Sequence, residues 1–96
     1  MRVIFEVAEV KGTCPLYRPG DRIVIEEFWI SEESARPCIH ALPTLLHYAL
    51  ALREGADPVK LGLSRKEEVA FIHCPDPGPP YTPGGSVIFK AWVEER

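Results

Sequence analysis

The chain has 96 residues and a formal net charge of −3, with a sequence pI of about 5.6. A chain of this length fits a single domain, residues 1–96, and leaves no room for a second independent core. Its acidic and basic residues are interspersed and form no basic cluster that would neutralise phosphates, so we expect no nucleic-acid partner.

The apolar runs and the cysteine content indicate the compartment. No run approaches the ~20 apolar residues that span a bilayer, and the N-terminus is strand-like, where a secretory signal would have a charged segment and an apolar core. The three cysteines are odd in number and widely spaced, which does not suit a disulfide framework. We therefore expect a cytoplasmic protein with reduced thiols and no membrane partner.

Two strands are predicted near the N-terminus. Residues 2–10 are rich in β-branched and aromatic side chains that partly alternate between two faces, and residues 22–29 are similar after a Pro-Gly-Asp turn. We expect these two strands to pair antiparallel. The apolar residues are Val3, Phe5 and Val7 on one face of the first strand, and Ile23, Ile25 and Phe28 among the charged residues of the second.

One main helix is predicted from a pattern that begins at Pro37. Its apolar residues recur at helical spacing and form a broad stripe that should cover one face of the sheet. Pro43 suits the first turn, and Gly55 suits the position after the last turn, where the backbone becomes left-handed. The stripe consists of Leu42, Leu45, Leu46, Ala49, Leu50 and Leu52.

The second half of the chain completes the predicted fold. Asp57 and the proline after it open a short helical turn that ends near Gly62, and residues 69–72 are strand-like. Residues 75–85 form a stiff loop rich in proline and glycine, and residues 86–93 alternate as a last strand. The sequence thus predicts an α+β fold: a small, mainly antiparallel sheet of about four strands with one main helix packed on one face.

Each of the three cysteines lies at the boundary of a predicted element, where side chains distant in sequence can meet. Cys14 is in the first loop, Cys38 just precedes the helix, and Cys74 ends the third strand. Three thiolates with the imidazole of His73 make an acceptable zinc ligand set, and three thiolates suit an iron–sulfur cluster. However, no C-x-x-C pair fixes two ligands locally, and the competing interpretation is three small buried apolar residues.

A second hypothesis makes Cys38 a reactive thiol. A thiol at a helix N-terminus lies at the positive end of the helix dipole, which favours the nucleophilic thiolate. His40 and His47 are near enough in sequence to be considered as its base, but His47 falls opposite the leucine stripe and is expected at the surface. The catalytic residues of this hypothesis are Cys38 and His40.

A third hypothesis is an interaction module. Trp29, Trp92 and Tyr81 would then form an aromatic contact surface, because exposed aromatic side chains are enriched in protein interfaces. The partner would be a second copy of the chain, which gives a homo-oligomer, or a different protein.

Several short motifs resemble those of a family of small, functionally uncharacterised prokaryotic domains. The motifs are Gly12-x-Cys14-Pro15 with Gly20-Asp21, Cys38-Ile39-His40-Ala41-Leu42 at the start of the helix, Cys74-x-Asp76, and Gly85-x-Val87-Ile88-Phe89 near the end. The resemblance spans nearly the whole chain. It implies that the three cysteines are the marked positions, and it implies no particular reaction.

Overall fold

A four-stranded antiparallel sheet with one helix on one face makes up the structure, a computed structural model that describes residues 1–95. In chain order, the elements are β1 (Arg2–Lys11), β2 (Arg22–Ile25), α1 (Leu42–Arg53), β3 (Ala70–His73) and β4 (Ser86–Glu94). The strand order across the sheet is β2-β1-β4-β3, and every neighbouring pair is antiparallel. The predicted α+β class is therefore confirmed. No helix in this described part is long and apolar enough to cross a membrane.

The central strand β1 supplies much of the core. A β-bulge after Val7 shifts its register against β4, so that Val10 returns to the core side and packs against the same apolar cluster. The bulge also lets β1 and β4 stay paired as far as Lys11 and Ser86, at the end of the sheet where the cysteines lie. The most deeply buried residues of β1 on the helix side are Val3, Phe5 and Val7, as the alternation predicts.

Strand β2 is shorter than predicted and does not reach residue 29. The chain turns back after β2, with the Glu26 N–H donating to the Trp29 carbonyl at 2.8 Å. Phe28 and Trp29 therefore point outward and are 89% and 59% exposed. The free edge of β2 is covered by the following segment, in which the Ser34 hydroxyl accepts the Val24 N–H at 2.8 Å. Two main-chain bonds complete the cover of this edge, from the Ser31 N–H to the Val24 carbonyl and from the Ala35 N–H to the Arg22 carbonyl, both at 2.8 Å.

Helix α1 has the predicted ends but a narrower buried stripe than predicted. Pro43 stands in the first turn, and Gly55, with φ of +92°, follows the last one. Leu46 and Leu50 are 43% and 58% exposed and line a groove beside the turn that carries Phe28. A helix that packs on one sheet buries only the side chains that face that sheet. The sequence pattern does not distinguish these side chains from the apolar ones beside them on the helix surface. The buried residues are Leu45, Ala49 and Leu52.

The chain between α1 and β4 follows the prediction closely. The Asp57 carboxylate accepts the Val59 N–H at 2.9 Å, which fixes the predicted short turn. Strand β3 lies one residue later than predicted, and β4 extends one residue further. The loop that joins them folds over the end of the sheet, where β1 also ends, and so brings Cys74 near the loop that holds Cys14.

Candidate thiol site

Three segments converge at this end of the sheet and enclose a cavity of about 400 Å³. They are the loop after β1, the segment before α1 and the loop between β3 and β4. All three cysteines line the cavity together with His40, whereas His73 does not. The full lining is Thr13, Cys14, Pro15, Tyr17, Cys38, His40, Ala41, Cys74, Pro75, Asp76, Gly84, Gly85 and Val87.

Two of these segments touch backbone to backbone because glycines stand at the contact. The Gly85 N–H donates to the Lys11 carbonyl at 3.0 Å. A Cβ atom on Gly85 would lie 2.6 Å from the Thr13 carbonyl oxygen, and one on Gly12 would lie 2.9 Å from the Gly85 nitrogen. Both glycines also have positive φ, where a side chain is strained. This approach places Cys14 against the loop between β3 and β4.

The sulfur atoms of Cys74 and Cys14 are held by main-chain groups. Cys74 is buried, its sulfur accepts the Val87 N–H at 3.2 Å, and its S–H faces the Gly85 carbonyl at 3.7 Å. Cys14 is half-buried and its sulfur accepts the Tyr17 N–H at 3.3 Å. Each of these two sulfurs is thus part of the hydrogen bonding that shapes its loop.

Cys38 is held differently, through its backbone. Its N–H donates to the Tyr17 hydroxyl oxygen at 2.7 Å, and the same hydroxyl donates to the Arg36 carbonyl at 2.7 Å. Tyr17 is buried, with its ring edge-to-face on Phe89 at a centroid distance of 5.7 Å. Burial raises the pKa of the Tyr17 hydroxyl, although the Cys38 N–H partly opposes this. Among the described residues, no donor or acceptor engages the half-buried Cys38 sulfur.

The start of α1 weakens the predicted setting of Cys38 at a helix N-terminus. The first residue of α1 is Leu42 and its N-cap is Ala41, so Cys38 lies one turn ahead of the helix. Its carbonyl accepts the Leu42 N–H at 2.8 Å. The field of a helix end falls off within the first turn, so the dipole gives Cys38 less support than predicted. His40 is exposed and lines the same cavity.

The other two histidines lie away from the cavity. His47 is exposed on α1 and packs edge-to-face against Tyr48, so its predicted surface position is confirmed. His73 is exposed on β3, and its ring nitrogen contacts the carbonyl oxygen of Cys74. Within residues 1–95, no group of three or more His, Cys, Asp or Glu side chains is placed to hold a metal ion. The three thiols therefore share a cavity without forming a preassembled ligand set.

One carboxylate organises the third wall of the cavity. Asp76 accepts hydrogen bonds from the Thr82 hydroxyl and, at 2.8 Å, from the Gly78 N–H. These bonds hold the pKa of the Asp76 carboxyl below its ordinary value, the Thr82 bond most strongly. The Thr82 oxygen in turn accepts the Gly84 N–H at 3.2 Å. Asp76 is thus ionised at neutral pH and keeps the loop folded over the cavity.

Tyr17 is the residue of this site that the sequence did not single out. A lone tyrosine in a Cys-Pro-Leu-Tyr loop carries no recognisable motif, and its role depends on contacts with residues about twenty positions further along the chain. Comparison with known families, with curated proteins and with solved structures finds no match to this chain. The resemblance to the small prokaryotic domains accordingly stays a prediction.

Replacing Tyr17 with phenylalanine should lower the free energy of unfolding by about 1–3 kcal/mol, because the Arg36 carbonyl and the Cys38 N–H both lose a partner. Urea denaturation followed by far-UV circular dichroism measures the change. Tyr48→Phe is the matched control, since Tyr48 is only partly buried and no hydrogen bond to its hydroxyl occurs among the described residues. Equal effects of the two substitutions would contradict this role of Tyr17.

The same variant should reveal a pH dependence. The folded pKa of Tyr17 is raised above the ordinary value of 10.0, so above that pH the folded chain retains a proton that the unfolded chain releases. The contribution of the protonated Tyr17 hydroxyl to the free energy of unfolding is complete below pH 10 and is lost as pH rises through the folded pKa. The stability difference between wild type and Tyr17→Phe should therefore shrink above pH 10. A difference that stays constant up to strongly alkaline pH would show that the phenol does not titrate in this way.

Proposed function

We propose that this chain is a small redox protein whose reacting group is the Cys38 thiol and whose cavity takes a small disulfide compound. One observation carries the proposal: Cys38 is fixed by its backbone but its sulfur has no hydrogen-bond partner among the described residues. The other two cavity sulfurs each accept an amide N–H. The Cys38 sulfur is therefore not tied into the hydrogen bonding of a loop, and its partial exposure admits a reactant.

The proposed chemistry is thiol–disulfide exchange. The Cys38 thiolate attacks one sulfur of the ligand, so that a Cys38–ligand disulfide forms, the ligand's own S–S bond breaks, and one half leaves as a thiolate. The proton released by Cys38 passes to solvent or to His40, and the departing thiolate takes up a proton. A second cavity thiol then attacks Cys38, which releases the other half and leaves a protein disulfide. Cys14 fits this step better than Cys74, because Cys74 is buried.

The cavity suits such a ligand. Its volume of about 400 Å³ lies within the range of small-molecule sites, and its lining is largely apolar apart from the thiols, His40 and Asp76. We propose the cytoplasm as the compartment, where the glutathione pool keeps thiols reduced and would return the protein disulfide to free thiols.

The test is the rate at which a chromogenic aromatic disulfide labels each thiol. We expect wild type to release one aromatic thiolate rapidly as Cys38 is labelled and a second one as Cys14 closes the protein disulfide, and Cys38→Ser to show no fast release. Cys14→Ser is the matched control, since it makes the same change in the same cavity and should keep the fast phase. Cys74 should react only as fast as the protein unfolds locally, because its sulfur is buried. A fast phase that survives in Cys38→Ser would overturn the proposal.

A second candidate is a thiolate site for zinc or an iron–sulfur cluster, in a metal-binding accessory protein. It is favoured by the two amide N–H groups that already donate to the Cys14 and Cys74 sulfurs, since metal thiolates commonly accept such bonds. Within the described residues the thiols are not grouped to hold an ion, so at least one of the three segments that bear them would have to move on binding. His40, which shares the cavity, is then a better fourth ligand than His73.

The same labelling assay separates the two candidates. If the chain binds zinc through its thiols, equimolar zinc should suppress labelling of all three cysteines, and a chelator should restore it. If the chain is a redox protein without a metal site, zinc at that ratio should leave the fast phase of Cys38 unchanged.

A further inference from the structure

An apolar surface lies on the side of the molecule formed by α1 and the turn after β2, away from the thiol cavity. The turn presents Phe28 and Trp29, which are 89% and 59% exposed. Beside them runs a groove of about 540 Å³, whose other wall includes the exposed leucines Leu46 and Leu50. We call these four side chains the aromatic patch. Contiguous exposed apolar surface of this kind marks an interaction site more often than chance.

Nothing in the fold requires aromatic residues at this turn. The reversal is made by the main chain, through the hydrogen bond from the Glu26 N–H to the Trp29 carbonyl, and polar residues would serve it equally well. The turn is also held rigidly against the helix, because the Arg53 guanidinium donates to the Glu27 carbonyl at 2.8 Å. The N-terminal ammonium bonds the Glu27 carboxylate at 2.8 Å. Phe28 is thus displayed on a preorganised support, which lowers the entropy cost of docking.

We propose that the aromatic patch is the interface of a two-fold symmetric dimer, with a second copy of this chain as the partner. An isologous contact needs a surface that complements itself, and the patch has both a protrusion, Phe28, and a groove beside it. In such a pair, each Phe28 enters the groove of the other copy between its Trp29 and Leu50.

The available area fits a dimer of ordinary size. One side of a standard interface buries about 800 Å², of which about 60% is apolar, or roughly 480 Å². At ~200 Å² per aromatic side chain, Phe28 and Trp29 together expose roughly 300 Å², well over half of that need. Leu46 and Leu50 add to it.

The charges at the rim permit the same contact. The Glu27 carboxylate pairs with the N-terminal ammonium, and Arg53 pairs with Glu54 at 3.1 Å. Because these charges are compensated within one chain, two copies facing each other across a two-fold axis do not place uncompensated like charges together. The interface is independent of the thiol chemistry, since none of its four side chains lines the thiol cavity.

Sedimentation velocity over a range from low to high micromolar chain concentration tests the proposal. Wild type should pass from the 10.8 kDa monomer to twice that mass. Phe28→Asp should weaken association at least about a hundredfold, because it places two charges in what would be the desolvated centre of the contact. Its exposed position means that the fold should survive, which circular dichroism checks. Leu50→Arg, on the other wall of the groove, should also weaken association.

The matched control is Tyr81→Asp. Tyr81 is an aromatic residue of comparable exposure, 80%, that lies outside the patch in the loop between β3 and β4. This variant should dimerise as wild type does. Wild type that stays monomeric throughout the range, Phe28→Asp that dimerises normally, or Tyr81→Asp that loses dimerisation equally would each overturn the proposal.

Discussion

Gly85→Ala should destabilise the chain by about 3 kcal/mol or more. The substitution forces a side chain into a left-handed backbone with φ of +97°, which by itself costs roughly 1–2 kcal/mol. It also drives the new Cβ to 2.6 Å from the Thr13 carbonyl oxygen, an atom of the facing main chain that cannot rotate away. The two loops must therefore separate, and the bond from the Gly85 N–H to the Lys11 carbonyl is weakened with them.

Gly20→Ala provides a close control for this effect. Gly20 has nearly the same φ, +96°, but a Cβ there meets no atom within 4 Å. It should lose only the contribution from the backbone conformation, about 1–2 kcal/mol. Urea denaturation of the three proteins measures both values. If the two alanine variants were equally stable, the close approach of the loops would not be a determinant of stability.

Phe89→Ala is the second change with a large expected effect, a loss of about 3–5 kcal/mol from the free energy of unfolding. Phe89 is fully buried in β4, within the apolar cluster shared by the sheet and α1, and its ring supports Tyr17. Truncation leaves a cavity that the surrounding sheet cannot close. Small domains are stable by only about 5–15 kcal/mol, so this one substitution removes a large part of the total.

The same truncation at Phe28 serves as its control. Phe28→Ala should change the free energy of unfolding of the isolated chain by less than about 0.5 kcal/mol, because its side chain is 89% exposed. Thermal and urea unfolding at low protein concentration give both numbers without a contribution from self-association. Comparable losses at the two positions would mean that Phe89 is not packed as the structure has it.

Much of the fold follows from local sequence features. The strands β1, β3 and β4 lie within about a residue of their predicted bounds, since alternation and the flanking glycines and prolines define them. The prediction failed for β2 and for the flank of α1. There the outcome depends on which surfaces other segments cover: Ser34 covers the edge of β2, and no segment within residues 1–95 covers Leu50. Tertiary contacts of that kind leave no local signature.

The candidate site was less accessible to sequence reasoning. The predicted elements already place Cys14, Cys38 and Cys74 at element boundaries, and in the structure all three line one cavity. His73 precedes Cys74 directly, and neighbouring residues at a strand end point to opposite faces, so these two side chains do not share a site. The role of Tyr17 is not predicted from the sequence, because its hydroxyl joins two segments that are far apart in the chain. No spacing of residues in a sequence indicates a hydrogen bond of that kind.

The close main-chain contact at Gly12 and Gly85 makes some walls of the cavity stiffer than others. Two of its walls continue the paired strands β1 and β4 and are bonded to each other, so they behave as one stiff body. Among the described residues, the remaining wall, which bears Cys38, is hydrogen-bonded to these two walls only through the phenol of Tyr17. We therefore expect ligands of different size to displace only the segment that bears Cys38. The Cys38 sulfur, which has no hydrogen-bond partner among the described residues, would move with that segment.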